Sequence, residues 1–143
     1  MSDNLLTAEA MKQAHAALEQ QLSLLEKAVQ AASGTSTAEL RSILESVRIR
    51  LGTHFSLEED GGYMAAVLKR EPSREHAAAN LLTEHHLLRE LLNSLIETRR
   101  SGVYLDDATR KSVGEWIASV RDHERRENLL VEDVFNRDIG PED

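Results

Sequence analysis

Apolar side chains recur at steps of three and four residues along four separate stretches of this sequence. That spacing places them on one face of an α-helix, and four such faces are buried when the helices pack against one another. Short segments rich in helix-breaking residues separate the stretches, around Gly34, at Pro72 and near Gly102. We therefore expect an all-α protein, an antiparallel up-down-up-down four-helix bundle that forms a single domain over residues 1–143.

Capping residues indicate where the first two helices begin. Thr7 can cap the first helix, and Ser36 followed by Glu39 has the spacing of a capping box at the start of the second. The apolar face of the second helix continues through Gly61 to Leu68, which favours an unbroken or bulged helix, with an ending at the glycines as the alternative. An unbroken helix would direct Tyr63 away from the core.

One histidine lies on the apolar face of each predicted helix: His15, His54, His85 and His123. In antiparallel helices joined by short loops, residues equidistant from the loop centre lie at the same height. The midpoints of successive histidines fall at residues 34–35, at residues 69–70 and at residue 104, each within or beside a predicted break. The four histidines are therefore expected to share one layer of the core.

Two carboxylates are expected just below that layer. Glu58 follows His54 by four residues and Glu127 follows His123 by four, which places each pair on one helical face. A buried ionised carboxylate costs several kcal/mol unless a cation compensates it, and no Lys or Arg falls in this layer. Bound metal ions would supply the missing positive charge, with neutral imidazoles as further ligands.

The residue types limit which metal can bind. The chain contains no cysteine, so the ligands must be nitrogen and oxygen atoms. Six side chains are too many for one tetrahedral zinc ion, whereas two six-coordinate ions that share two carboxylates would use them all and keep positions open. This favours a pair of non-haem iron ions, with manganese and zinc as alternatives.

The ordered set of these histidines and glutamates resembles the hemerythrin-like family of HHE cation-binding domains. The resemblance covers nearly the whole chain and lies in MKQAHAALEQQL, LGTHFSLEED, LLTEHHLLREL and VRDHERRENLL. It implies that the four histidines are terminal ligands, and that Glu58 and Glu127 bridge two irons together with an oxo or hydroxo group.

The chain departs from two familiar members of that family. Oxygen-carrying hemerythrins have a fifth histidine on the third helix and an aspartate on the fourth, whereas this chain has Leu81, Arg89 and Glu127 at the corresponding positions. Iron–sulfur cluster repair proteins of the family add a cysteine-bearing segment. The resemblance therefore implies a di-iron protein that binds or turns over O2, NO or peroxide, and an enzyme of this kind would be an oxidoreductase acting on peroxide or NO. A non-catalytic sensing or binding module, or a repair-related protein, is the alternative.

A small-ligand pocket is expected one turn beyond the glutamates, where Gly61 would leave space. Its predicted lining is Met11, Gly61, Leu81 and Leu130, and azide or nitric oxide would be suitable probes. His76 and His86 lie on other helical faces than His85 and are expected in solvent, as are Glu59, Asp60 and Glu84.

Charge and hydropathy exclude several partners. The formal net charge is -8, with no basic stripe to meet phosphates, which argues against a nucleic-acid partner. No stretch reaches the roughly 20 apolar residues of a membrane span, and the first residues do not have the pattern of a signal peptide. A cytoplasmic protein is expected; the sequence does not indicate an oligomeric state.

Overall fold

Four long helices and one short helix make up the described part of the chain in a computed structural model. The structure describes residues 2–31, 36–60, 62–98 and 106–135. The helices are α1 (Ser2–Gln30), α2 (Thr37–Glu59), α3 (Tyr63–Arg70), α4 (Glu75–Thr98) and α5 (Asp107–Phe135), with a 3-10 turn at Pro72–Arg74. The helix α1 begins before Thr7, earlier than predicted.

Side-chain caps fix the starts of two long helices. The Ser36 hydroxyl accepts a hydrogen bond from the Glu39 backbone N–H at 3.1 Å, which confirms the predicted cap of α2. Asp106 accepts from the Thr109 N–H at 2.7 Å at the start of α5. Each cap satisfies a backbone donor that the helix leaves unpaired, and this stabilises the first turns of α2 and α5.

The four long helices form the predicted bundle. The helix α1 packs against α2 and α5, and α4 packs against the same two helices, so neighbours in sequence are neighbours in space. A large apolar cluster fills one end of the core, and it contains the predicted layers Leu18, Leu51, Leu88, Val120 and Leu22, Val47, Leu92, Trp116. The indole of Trp116 donates to the Leu88 carbonyl at 3.0 Å, so its one polar atom is paired within the core.

The second helix ends before the glycines, so the unbroken or bulged helix that we favoured is wrong. The helix α2 stops at Glu59, and the N–H of Asp60 closes it by donating to the Ser56 carbonyl at 2.8 Å. A Cβ atom at Gly62 would overlap the backbone oxygens of Leu57 and Glu58, so only glycine permits this close turn. Gly61 lies outside the described residues.

The new helix α3 changes which side chains of this segment are buried. Ala65 is exposed and Leu68 only half-buried, although the continued pattern placed both on the inner face. Tyr63, Met64 and Val67 point inward instead and form a second, smaller apolar cluster. Because α3 begins as a separate helix after the turn, the side chains that face the core are not those that a continuation of α2 would direct inward. None of the helices in the described part of the chain has the length and apolar character that crossing a membrane requires.

Candidate metal centre

The four long helices each contribute one buried histidine to a single layer between the two apolar clusters. His15 and His54 have ring centroids 5.1 Å apart, and His85 and His123 have centroids 4.9 Å apart. His85 and His123 are fully buried, and the other two are within a few per cent of full burial. The structure thus brings the four predicted histidines together as two neighbouring pairs, one from α1 and α2 and the other from α4 and α5.

The two predicted glutamates lie between these pairs, and each one reaches both. For Glu58, Oε2 lies 3.1 Å from the Nε2 of His15 and 3.2 Å from that of His54, while Oε1 lies 3.2 Å from the Nε2 of His85. Each oxygen of this carboxylate therefore faces a different histidine pair.

Glu127 repeats the arrangement from the other side. Its Oε1 lies 3.2 Å from the Nε2 of His15, and its Oε2 lies 3.1 Å from the Nε2 atoms of both His85 and His123. Two groups of candidate ligand atoms result, each with its members within 4.8 Å of one another: His15, His54, Glu58, Glu127 and Glu58, His85, His123, Glu127. Both carboxylates belong to both groups, which is the arrangement that two bridged cations require.

The donor set fits a pair of cations. Two ligand atoms about 2.1 Å from one ion and at right angles are about 3 Å apart, close to the histidine–glutamate separations here. Within the described residues, the buried atoms His54 Nε2, His123 Nε2, Glu58 Oε1 and Glu127 Oε1 make no hydrogen bond of suitable geometry, although each lies within 3.2 Å of an imidazole or carboxylate atom. Buried polar atoms in native proteins are nearly always paired, so unpaired atoms that converge on one point indicate a bound group.

Electrostatics in the metal-free protein lead to the same conclusion. Burial raises the pKa of Glu127, but the imidazoles of His123, His15 and His85, each within 3.2 Å of the carboxylate, outweigh burial and hold that pKa far below its ordinary range. Burial lowers the pKa of His15, yet the neighbouring carboxylates of Glu127 and Glu58 raise the pKa to about 10. Burial also lowers the pKa of His85, and the carboxylates of Glu127, Glu58 and Glu59 outweigh burial and raise that pKa to about 9. Protons on the imidazoles thus compensate the two carboxylates, in the positions where cations would do so.

Three of the histidines are oriented by a second hydrogen bond. His85 donates from Nδ1 to Glu59 at 2.6 Å, His123 donates from Nδ1 to Glu84 at 2.7 Å, and the Nδ1 of His15 lies 3.0 Å from the amide oxygen of Asn128. A histidine that donates from Nδ1 has its Nε2 lone pair free for a metal when it is neutral. The outer bonds therefore aim three Nε2 atoms at the centre.

Two of those outer partners correct the expectation that they are solvated. The side chains of Glu59 and Glu84 are only 23% and 29% exposed, because each covers the outer edge of a histidine. Arg126 donates two hydrogen bonds to Glu84, and these, together with that from His123, outweigh burial and lower the pKa of Glu84. Asp60 is exposed, as expected.

Aromatic residues that the sequence did not assign to the site surround its α4 side. The ring of Phe55 stacks on His85 at 3.8 Å between centroids, with an angle of 8° between the planes. Tyr63 donates from its hydroxyl to Glu127 Oε2 at 2.6 Å. Burial and the charge of Glu127 raise the pKa of Tyr63 far above its ordinary value, so this hydroxyl keeps its proton. The break before α3 brings it here, and the two glycines beside it were the available indication.

A third carboxylate approaches the centre, and the sequence reasoning missed it as well. The Oε2 atom of Glu124 lies 3.8 Å from the Nε2 of His54 and 4.0 Å from that of His15. Burial raises the pKa of Glu124 to about 7, although the charges of the two histidines oppose that effect. Its spacing of three residues from Glu127, which places both on one side of the helix, could have identified it.

Three of the four predicted pocket residues lie in the smaller apolar cluster, and the fourth, Gly61, lies outside the described residues. Met11, Leu81 and Leu130 are buried there together with Tyr63 and other side chains of α3. This cluster lies directly below the glutamates, since the hydroxyl of Tyr63 joins the two. Binding of a small ligand beside these residues stays a prediction. The remaining histidines, His76 and His86, are exposed, as expected.

Comparison with known proteins identifies the family of the chain. Residues 6–134 match the family described as "Hemerythrin HHE cation binding domain", and the matched range contains all six candidate ligands. Neither the curated proteins nor the solved structures give a match to this chain. The buried cluster of histidine and glutamate side chains that could hold metal ions is consistent with that description. The chain therefore belongs to the hemerythrin HHE cation-binding domain family.

Proposed function

We propose that this protein is a non-haem di-iron protein that binds or turns over a small ligand of the O2, NO or peroxide class. The observation that carries the proposal is that two four-residue groups share both of their carboxylates. His15 and His54 would hold one ion, His85 and His123 would hold the other, and Glu58 and Glu127 would bridge them. Four protein ligands per ion leave coordination positions open for an added ligand.

The surroundings of the site support chemistry away from water. The fully buried residues His85, His123 and Glu127 form its inner side, and apolar clusters lie above and below the layer. When bound, iron would supply electrons by changing between its ferrous and ferric states. The protein would hold the ligand atoms in place, exclude water and keep a proton on the Tyr63 hydroxyl, next to the shared carboxylate of Glu127.

The apolar cluster beneath the glutamates supports a small ligand over a larger one. Met11, Leu81 and Leu130 surround Tyr63 with side chains that cannot hydrogen-bond to a polar substrate. A diatomic molecule or peroxide needs little space and one donor, and the Tyr63 hydroxyl would be that donor once it turned from Glu127 to the ligand. We keep this cluster, together with Gly61, as the proposed binding position.

Metal analysis with matched variants tests the proposal. The protein is loaded with ferrous iron without oxygen, and we expect about two irons per chain, with ferric charge-transfer absorption after exposure to air. His85→Ala removes a ligand of one ion only, whereas Glu127→Ala removes a ligand of both and should lose both. His86→Ala is the matched control, because His86 is the exposed neighbour of His85. One zinc ion per chain, or equal losses in His86→Ala and His85→Ala, would contradict the proposal.

Turnover distinguishes an enzyme from a binding module. Steady consumption of peroxide or NO by the iron-loaded protein, lost in His54→Ala, would identify an oxidoreductase. Reversible binding of one ligand per site without turnover would identify a binding or sensing module. Both outcomes need the same centre, and failure to bind any of these ligands when two irons are present would contradict both.

A further inference from the structure

Glu124 has a position that the six predicted ligands leave unexplained. Its side chain is only 8% exposed, and its Oε2 atom is buried without a hydrogen-bond partner within the part of the chain that the structure describes. A carboxylate oxygen in that situation has lost its water without gaining a donor, which is costly. A purely structural role would require a hydrogen-bond partner for this oxygen. Glu84 has such a partner, because Arg126, which lies two residues after Glu124 on α5, donates to it.

The unpaired oxygen faces one histidine pair and not the other. It lies 3.8 Å from His54 Nε2 and 4.0 Å from His15 Nε2, the two atoms that also converge on Glu58 Oε2. Two ligand atoms of one ion with bonds of about 2.1 Å can be at most about 4.2 Å apart, and both separations lie within that limit. The Nε2 atom of His54 is itself unpaired in the described residues.

We propose that Glu124 is a terminal carboxylate ligand of the ion held by His15 and His54. The inference rests on the proposed function and deepens it, because it makes the two metal positions unequal. The His15/His54 position has three ligands of its own and two shared carboxylates. The His85/His123 position has two of its own and the same two shared, so it keeps more open positions for an added ligand.

The unequal ligand sets indicate where a small molecule binds. An added ligand would have to compete with Glu124 at the His15/His54 position, whereas the His85/His123 position is free of that competition. The Tyr63 hydroxyl lies on this second side, 2.6 Å from the Glu127 oxygen that faces His85 and His123. Exogenous ligands therefore bind at the His85/His123 ion, next to the hydroxyl donor.

Metal titration of one isosteric variant tests this assignment. Glu124→Gln keeps the shape of the side chain and removes its charge, and Glu115→Gln makes the same charge change at an exposed position of the same helix. Both variants and the unmodified protein are titrated with Co²⁺ without oxygen. We expect Glu124→Gln to weaken one of the two Co²⁺ equivalents about tenfold or more and to change the visible absorption of that equivalent, with the other unchanged.

Further measurements keep the outcomes distinct. The metal-free Glu124→Gln variant should unfold at no lower temperature than the unmodified protein, because the lost oxygen has no partner. If Glu124→Gln is nevertheless unstable, Glu124→Asp is the second variant. It keeps the charge but has a shorter side chain that withdraws the carboxylate from the His15/His54 position, and it should weaken the same Co²⁺ equivalent.

Azide added to the iron-loaded Glu124→Gln protein should occupy a second position that the unmodified protein does not offer. If Glu124→Gln binds two Co²⁺ equivalents with the same affinities and spectra as the unmodified protein, the assignment of Glu124 as a ligand is overturned and the di-iron proposal stays intact. An unmodified protein that does not bind two ions would instead overturn the proposed function.

Discussion

The outer hydrogen bonds of the histidines should determine how tightly each metal position binds, and Glu59→Gln tests this at His85. The Glu59 carboxylate accepts from His85 Nδ1 at 2.6 Å, and the side chain is 23% exposed. A carboxylate acceptor makes the imidazole a stronger metal ligand than a neutral acceptor does, because the bond is charge-assisted. The amide of glutamine can still accept, so orientation is kept and only the charge is lost.

The expected effect of Glu59→Gln is a loss of affinity at one metal position. Removal of such an outer partner typically costs 10- to 100-fold in metal affinity, about 1.4–2.8 kcal/mol. Because water partly screens Glu59, we expect the lower end of this range, roughly tenfold. The other equivalent should be unchanged, since His15 and His54 do not contact Glu59.

The assay is competition with a chromophoric chelator for Co²⁺ at constant pH and ionic strength. Asp60→Asn is the matched control, because Asp60 is the exposed neighbour of Glu59 and the charge change is the same. Asn128→Asp provides the reverse test, since it places a carboxylate beside His15 Nδ1, where Asn128 now lies at 3.0 Å. It should tighten the Co²⁺ equivalent bound at the His15/His54 position. If Glu59→Gln binds as Asp60→Asn does, and Asn128→Asp changes nothing, the outer bonds do not set the affinity.

Other perturbations separate the contributions of proton, hydroxyl and core. Metal loading at neutral pH should release at least two protons per chain, because the raised pKa values of His15 and His85 keep both protonated in the metal-free protein. Calorimetry in buffers of different ionisation enthalpy measures this release, and release of none would contradict those values. Tyr63→Phe removes a charged hydrogen bond worth about 1.5–3 kcal/mol and should lower the unfolding temperature of the metal-free protein by roughly 5–10 °C. An unchanged temperature would show that the bond adds no stability. Leu44→Ala, at a fully buried position of the large cluster, should cost about 2–5 kcal/mol in denaturant unfolding with metal stoichiometry retained; loss of metal would mean that core and site are not separable.

The sequence predicted the bundle and its histidine layer because few geometric variables were free. Once the helices are antiparallel and the loops short, loop midpoints set the height of each residue, and the apolar pattern sets its direction. That is why His15, His54, His85 and His123 meet in the structure as expected. The glutamates followed from the same periodicity, since a spacing of four residues keeps them below their histidines.

The α2–α3 connection could not be obtained from periodicity. A repeating pattern continues through a break without change, whereas the chain stops at Glu59 and restarts at Tyr63 because of the turn at Gly62. The direction of Tyr63 depends on that turn. The role of this tyrosine beside Glu127 was therefore missed.

The flanking acids were missed for a different reason. Glu59 and Glu84 lie to the side of the apolar faces, where a helical pattern assigns a residue to neither core nor solvent. Their direction depends on rotamers and on the partner across the helix interface, such as His85 for Glu59 or Arg126 for Glu84. Periodicity has no information about either.

The polar layer divides the apolar core into two clusters, and this has a consequence for local opening. The larger cluster joins α1, α2, α4 and α5 at one end, while the smaller one holds α3 against the other end. The helices α1, α4 and α5 contribute side chains to both clusters, whereas α3 belongs only to the smaller one. Metal ions held between the clusters would therefore add cross-links that tie the end with α3 to the rest of the bundle. Amide hydrogen exchange in α3 should slow markedly when metal binds, while exchange of the amides around Leu44 and Leu92 should follow only global unfolding.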